Sequence, residues 1–387
     1  MLLIAIMVIG SFAAVIGNQG QLYILAVFLF IFTFVARAAS LVFRPRVSVT
    51  RWLPPRCAAG ADALAHARVV NRGRLPVFDL TVTEKLPPPE MTLEPRPCYL
   101  PTLSRGGSAD LLYTVHPERR GVYELRGPVA FSAFPFGIYH AMQEGDQQAR
   151  MLVYPRFERL SAVSLPVAPR HQPGGLRLVS RVGESEEFVG NREYRPGDRL
   201  RDIHHAGWAR LGAPVVREFQ QEYLCRIALV LDTYVPHDRA APRRGFEGAI
   251  SLAAGIADAL SRQEYVIDLF AAGPDLYHFQ AGRSLAYLDN ILDVLACIDV
   301  CKRKPFRSLG PAIAEAITQI STAVFVLLDW DEDRERFVQS IRNLGVAAKV
   351  LVVRERPSTL DPHTFAGDAG PILTVTPQEV EQGLGHI

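Results

Sequence analysis

Arg226-Ile-Ala-Leu-Val-Leu-Asp232 is a run of five consecutive aliphatic residues that ends in an acid. Such a run predicts a strand buried on both faces, because a half-exposed strand would alternate apolar with polar. Downstream, strand-like and helical runs alternate. Phe246 to Arg262 is helical, with Ile250, Ala253, Ala254, Ala257 and Leu260 on one face. Tyr265-Val-Ile-Asp-Leu-Phe270 is a strand and Leu285 to Ile298 a helix. Pro311 to Ile320 is a helix, Ala323-Val-Phe-Val-Leu-Leu328 a strand, Glu332 to Leu344 a helix, and Ala348-Lys-Val-Leu-Val-Val353 a strand. This order predicts an α/β domain over residues 225–387, its mostly parallel sheet covered by helices on both faces. Ligands of such sheets sit beyond the C-terminal strand ends. Asp232 and Asp329 stand there, at positions where acids cap helices and turns.

Residues 44–165 have a different texture. Short alternating runs such as Ala63-Leu-Ala-His-Ala-Arg-Val-Val70 and Phe78-Asp-Leu-Thr-Val-Thr83 are broken by Pro54-Pro55, Pro87-Pro88-Pro89, Gly106-Gly107 and Gly127-Pro128. About seven short strands fit a β-sandwich of immunoglobulin-like type.

Ahead of it lie two uncharged apolar runs, Met1 to Gly17 and Leu22 to Ala36, separated by the polar turn Asn18-Gln19-Gly20-Gln21. A 17-residue helix is about 26 Å long at ~1.5 Å per residue, against a hydrocarbon core of ~30 Å. The second run extends past Arg37 to Phe43 if that side chain snorkels to the headgroups. Residues 1–43 therefore predict a transmembrane helical hairpin. The turn has no arginine, whereas Arg37, Arg44, Arg46, Arg51 and Arg56 follow the second run. The positive-inside rule then expects a two-pass membrane protein with its soluble domains in the cytoplasm. A cleaved signal peptide is the rival, but no basic segment precedes the apolar run.

The net charge is +2, which gives no electrostatic argument for nucleic acid. Lysine occurs only at Lys85, Lys302, Lys304 and Lys349, and arginine supplies the remaining basic charge. Five cysteines (Cys57, Cys98, Cys225, Cys297 and Cys301) at irregular spacing predict no disulfide framework. Cys297 and Cys301 are one helical turn apart and read as small core residues on one face rather than half a metal site. No phosphate-binding Gly-x-x-x-x-Gly-Lys-Ser/Thr loop and no Gly-x-Ser-x-Gly elbow is present.

Residues 166–224 join the two soluble regions, and here charge and aromatic anchors are interleaved. Arg192, Glu193, Tyr194, Gly197, Asp198, Arg201, His204, Arg210, Arg217 and Glu218 stand among Ile203, Trp208, Val216 and Phe219. A solvated linker has no use for such anchors. Two readings stay open: a clamp of Arg–carboxylate pairs, or a site for an anionic ligand or acidic partner. His204 and His205, if on a strand, point to opposite faces and cannot share a metal.

Phe188-Val-Gly-Asn-Arg-Glu-Tyr-Arg-Pro-Gly-Asp198, Arg201-Asp-Ile-His204, Ala209-Arg210 and Val216-Arg-Glu-Phe219 together resemble the bacterial domain-of-unknown-function 58 family. Arg119-Arg-Gly-Val-Tyr123, Pro135-Phe-Gly137 and Val153-Tyr-Pro-Arg156 extend the resemblance into the β region. The family usually has Trp where this chain has His205, and often Asp where it has Phe134. The resemblance implies a C-terminal von Willebrand factor A-like domain, and association with a MoxR-type AAA+ ATPase alongside a transglutaminase-like membrane protein. It implies no enzymatic activity. The expected role is a membrane-anchored scaffold or adaptor. The alternatives are a metal-dependent adhesion domain and an enzyme acting on an anionic substrate at the Arg-rich signature.

Domains of that type hold a divalent cation with Asp-x-Ser-x-Ser after the first strand and acids from later loops. This chain offers Asp232-Thr-Tyr-Val-Pro236, so Tyr234 and Pro236 replace both serines. Asp329 fits the later acidic position, and Ser308 or Ser284 would have to supply a distant hydroxyl. No cofactor is expected other than that degenerate cation site.

Overall fold

The computed structural model describes residues 20–85, 87–95, 98–145, 147–166, 188–196, 198, 200, 203–219, 226–236, 240–263, 265–272, 276–279, 287–304, 306–316, 320–364 and 371–387. These residues are mostly β-sheet with several helices, arranged as two compact units that divide between Tyr154 and Pro155.

The first unit opens with α1 (Gly20–Val42), whose segment Ile24–Val42 is long and apolar enough to cross a membrane, by length and composition. It is the one such helix among the described residues. The first apolar run, Met1 to Gly17, lies outside them. Ala26, Thr33, Ala36 and Ser40 are buried along one stripe of α1, while Ile24, Phe28, Phe30, Ile31 and Phe34 face outward.

Among the described residues eleven strands follow: β1 (Val47–Trp52), β2 (Arg56–Ala58), β3 (Ala63–Asn71), β4 (Val77–Glu84), β5 (Met91–Glu94), β6 (Cys98–Leu103), β7 (Ser108–Pro117), β8 (Gly121–Leu125), β9 (Pro128–Ser132), β10 (Ala141–Glu144) and β11 (Ala149–Tyr154). The sequence predicts about seven, because strands of three to five residues such as β2, β5 and β10 are too short to show a period. The sheets are ordered β1-β3-β7-β5, β10-β9-β4-β6 and β2-β11-β8. Alternation does what it should in β3, where Ala63, Ala65, Ala67 and Val69 are buried and their neighbours are not. These residues share one core with Met91 and Val115 of their own sheet and with Leu80, Leu125 and Met151 from the other two.

That core also encloses a charge the sequence does not advertise. Arg51 pairs with Glu84, both buried, and donates to the carbonyls of Leu125 (2.9 Å) and Gln147 (3.0 Å). The Tyr113 hydroxyl donates to the other Glu84 oxygen at 2.7 Å.

The second unit begins before residue 166. Ser161 and Ser164 donate backbone N–H groups to Gly385 (3.1 Å) and Ile387 (2.8 Å), and the Arg262 guanidinium holds the Leu160 carbonyl at 2.7 Å. Gly255 lets the Glu158 carbonyl come within 3.0 Å of where a Cβ would stand. These contacts move the boundary from 165 to Tyr154/Pro155: Pro-broken extended chain reads as more β region, and only its partners assign it to the α/β unit.

β12 (Phe188–Glu193) and β13 (Val215–Phe219) form an antiparallel pair joined through α2 (His205–Leu211). The large sheet contains β14 (Arg226–Leu231), β15 (Val266–Ala272), β16 (Leu276–Phe279), β17 (Thr322–Leu327), β18 (Ala347–Val353) and β19 (Leu373–Val375). Its order is β16-β15-β14-β17-β18-β19, all parallel except the edge strand β16. Around it lie α3 (Ala240–Arg262), α4 (Tyr287–Cys297), α5 (Phe306–Ala316), α6 (Glu332–Asn343) and α7 (Pro377–Gln382).

Ala228, Val230, Phe325 and Val350 share a core with Leu309 and Ile313 of α5 and Phe337 and Ile341 of α6. The alternate residues Ile227, Leu229 and Leu231 are equally buried, so both faces are covered, as a parallel sheet requires. α5 begins before the expected Pro311, which lies inside it. The three-residue β19 and the edge strand β16 are too short to show as periodic runs. Cys297 is exposed at the end of α4, and Cys301 is buried in a bridge with Tyr234, so the two do not share a helix face.

Candidate functional site

The strand order of the large sheet reverses between β14 and β17, and the two strand-end acids flank that point. Asp232 follows β14 and is 1% exposed. Its Oδ1 accepts from the Tyr234 N–H (2.9 Å), and its Oδ2 from the Leu328 N–H (3.0 Å) and Arg334 Nε (2.7 Å). Arg334 sits in the first turn of α6, where it also donates to Oδ2 of Asp331, the N-cap residue, at 2.5 Å. Its guanidinium carbon lies 5.2 Å from the ring of Phe306 and 5.7 Å from that of Tyr234. Burial would lower the pKa of Arg334, but the carboxylates of Asp232 and Asp331 outweigh it and hold the pKa above its ordinary value. The result is a buried cation bridging two acids between two aromatic faces.

Asp329 is closed in the same manner. It pairs with Arg354, and its oxygens accept from the N–H groups of Trp330 (2.8 Å) and Thr359 (3.0 Å) and from Thr359 Oγ1 (2.7 Å). Both acids therefore pin loops at the C-terminal edge of the sheet.

This donor set does not fit a hard divalent cation, which needs several free oxygens in near-octahedral array. Asp232 already serves three donors, one of them a guanidinium, and Tyr234 contributes its ring to Arg334 rather than an oxygen to a metal. Among the described residues no three His, Cys, Asp or Glu side chains are gathered to hold a metal. Ser284 lies outside the described residues.

The Arg-rich signature forms the β12–β13 hairpin. Arg192 on β12 makes a two-pronged pair with Asp198, at 2.8 Å on each prong, and Asp198 also accepts from the Arg195 N–H at 2.7 Å. The pair staples the turn after β12 to its own strand, so the clamp is local. These donors hold the Asp198 carboxyl down at about 2. The linkage follows from the depressed pKa: the stabilisation is full above the unfolded value near ~3.9 and is lost as pH falls through about 2. We expect cleavage of this turn by pepsin to accelerate between about pH 4 and pH 2, and Asp198→Asn to cleave fast across that whole range.

Tyr194 bonds through its N–H to the Pro214 carbonyl, and His204 to that of Val215 (2.8 Å), which close the hairpin. His204 immediately precedes α2 and His205 is its first residue, so the two do not alternate across a strand as expected. Nδ1 of His204 is buried with no hydrogen-bond partner among the described residues. Glu193, Arg210 and Arg217 are exposed, as are Trp208 (42%) and Leu211 (72%) of α2. Gly197 and Arg201 lie outside the described residues, as does the side chain of Glu218. The signature and the strand-end acids thus form two separate constellations, and an enzyme reading would need the Arg192–Asp198 pair to open. Sequence reading missed Arg334, Arg354 and the Arg51–Glu84 pair, because a lone arginine in a charged helix turn or an alternating strand carries no local mark of burial.

No family model and no curated protein matches the chain. Among solved structures, a solution structure of a CARDB domain from Pyrococcus furiosus is 15% identical over 28% of this chain and 94% of that domain, with a TM-score of 0.20. A crystal structure of that domain in complex with di-metal ions gives 15% identity, 28% and 88% coverage, and a TM-score of 0.21. Proximal thread matrix protein 1 from the mussel byssus gives 10% identity, 41% and 43% coverage, and a TM-score of 0.30. At these scores the likenesses carry no argument about function.

Proposed function

We propose that the chain is a membrane-anchored, non-enzymatic adaptor of the domain-of-unknown-function 58 type. On this reading α1 belongs to an inner-membrane anchor, the first unit is an immunoglobulin-like spacer, and the second is a von Willebrand factor A-like recognition domain in the cytoplasm. The partner class, a MoxR-type AAA+ ATPase, comes from the resemblance of the signature. The observation that carries the reading is the Asp232–Arg334 pair. A domain whose ion-binding acid is filled by its own guanidinium is suited to recognition that needs no metal. The signature supports it with an accessible surface on α2, where Trp208 and Leu211 are exposed three residues apart on one helix face. Aromatic and arginine anchors of this kind dominate binding energy when a partner covers them.

The test is affinity purification of the full chain from solubilised membranes, read by mass spectrometry. An AAA+ ATPase should co-purify equally with and without EDTA, and Trp208→Ala/Leu211→Ala should reduce it about tenfold or more, the ~1.4 kcal/mol that one anchor exceeds. Absence of any such ATPase sinks the adaptor reading. Capture that requires magnesium and is lost in Asp232→Ala would instead support metal-dependent adhesion.

A further inference from the structure

The turn between β9 and β10, Ala133-Phe-Pro-Phe-Gly-Ile-Tyr-His140, lies along α1. It is built to present its tip. The Gly137 N–H bonds back to the Ala133 carbonyl at 2.8 Å, and Gly137 has a φ of +70°, which favours glycine. The root is fixed by aromatic packing: Phe134 lies 4.7 Å from Phe78 and 5.2 Å from Phe43, between ring centroids. The tip residues Pro135, Phe136 and Gly137 are exposed, Phe136 at 46%. Phe136 meets the edge of Phe32 of α1 at 5.2 Å, and Tyr139 lies under the Arg37 guanidinium at 5.6 Å.

These three contacts give the turn a direction along the helix. Its root is level with Phe43, Tyr139 with Arg37, and its tip with Phe32. Phe32 precedes Arg37 by about 7.5 Å at ~1.5 Å per residue. Leu22 to Ala36 carry no charge, so Arg37 is the first cation after the apolar run and marks the headgroup layer. The tip then lies on the hydrocarbon side of that layer, at the ~5–10 Å depth typical of interfacial apolar groups. The outward-facing Phe28, Ile31 and Val35 of α1 lie in the same part of the helix, while the exposed Arg37 and Arg44 lie on the headgroup side.

We propose that this turn is a second membrane contact: an aromatic finger whose Phe136 enters the interfacial layer of the leaflet from which α1 emerges, with Tyr139, Arg37 and Arg44 at the headgroups. The finger fixes the orientation of the first unit against the bilayer surface, which a single helical tether does not do. The proposal rests on the reading of α1 as a membrane span.

The test uses the full chain reconstituted into phosphatidylcholine–phosphatidylglycerol vesicles, comparing Phe136→Trp with wild type and with Leu64→Trp. Leu64 is exposed near the end of β3 remote from the α1 connection. Far-UV circular dichroism checks that both variants keep the fold, and flotation after carbonate washing tests the anchor separately. The emission added by Phe136→Trp should be blue-shifted. It should fall at least twofold when lipids brominated at carbons 6 and 7 replace the ordinary ones, while the emission added by Leu64→Trp stays unchanged. If the protein floats but the Phe136→Trp indole emits as in water, the finger proposal is overturned and the anchor stands. Blue-shifted emission that brominated lipid leaves unquenched also overturns it, and points to a protein covering the tip. If wild type does not float, the anchor reading fails and the finger with it.

Discussion

Arg334→Ala should lower the stability of the second unit by about 3–5 kcal/mol, the cost of leaving a buried charge without its partner. Asp232 is 1% exposed and the Arg334 side chain 3%, so water cannot replace the guanidinium without opening the first turn of α6. The loss falls on two carboxylates, because Arg334 also holds Asp331. Trp330, buried beside this turn, is the local reporter. Urea unfolding of the full chain in detergent, followed by tryptophan emission, should show the second unit's transition at lower urea. Arg334→Lys should recover only part of the difference, since an ammonium cannot serve both acids in the guanidinium plane or stack between Phe306 and Tyr234. The double variant Arg334→Met/Asp232→Asn should be less damaged than Arg334→Ala, because the stranded charge is then gone. A change under about 1 kcal/mol for Arg334→Ala, the level of a surface pair, would show that the site is wet.

Arg51→Met should destabilise the first unit by a similar ~3–5 kcal/mol and change its pH dependence. Burial pushes the Glu84 carboxyl above its ordinary range, while Arg51 and the Tyr113 hydroxyl pull it back. The sign follows: an acid whose folded pKa is raised leaves the unfolded state holding fewer protons. Stability from this group is therefore greatest below the unfolded value near ~4.3 and declines as pH rises through the folded one. Removing Arg51 takes away the main downward pull, so the folded pKa rises further and the decline extends to higher pH. Arg51→Met/Glu84→Leu should abolish the added pH dependence and recover most of the stability. Thermal unfolding of the first unit between pH 4 and 8 checks both outcomes. A pH profile for Arg51→Met parallel to wild type would mean that Glu84 is not the titrating group.

The sequence exposed the large features because each repeats along the chain. The unbroken run Ile227 to Leu231, bounded by charged residues, reads as a strand covered on both sides, and it is one. The alternation in Ala63 to Val70 placed β3 with its small residues inward. Short pieces lack a period, so β16, β19 and the division of the β region into eleven strands were not legible. Neither was the true start of the second unit, since residues 155–166 are extended chain whose partners, Arg262 and Ile387, are distant in sequence.

At the candidate site the split is the same. Composition and pattern marked Asp232 and Asp329 as strand-end acids, and the interleaved signature as something other than a linker. Which charge meets which depends on contacts 102 residues apart, as between Asp232 and Arg334, and no local pattern encodes them. The tertiary structure alone decided that these acids face guanidiniums, that Arg192 closes on Asp198, and that Phe136 lies against Phe32. Hydrophobic period is a property of neighbours along the chain, whereas charge pairing and aromatic contact are properties of neighbours in space.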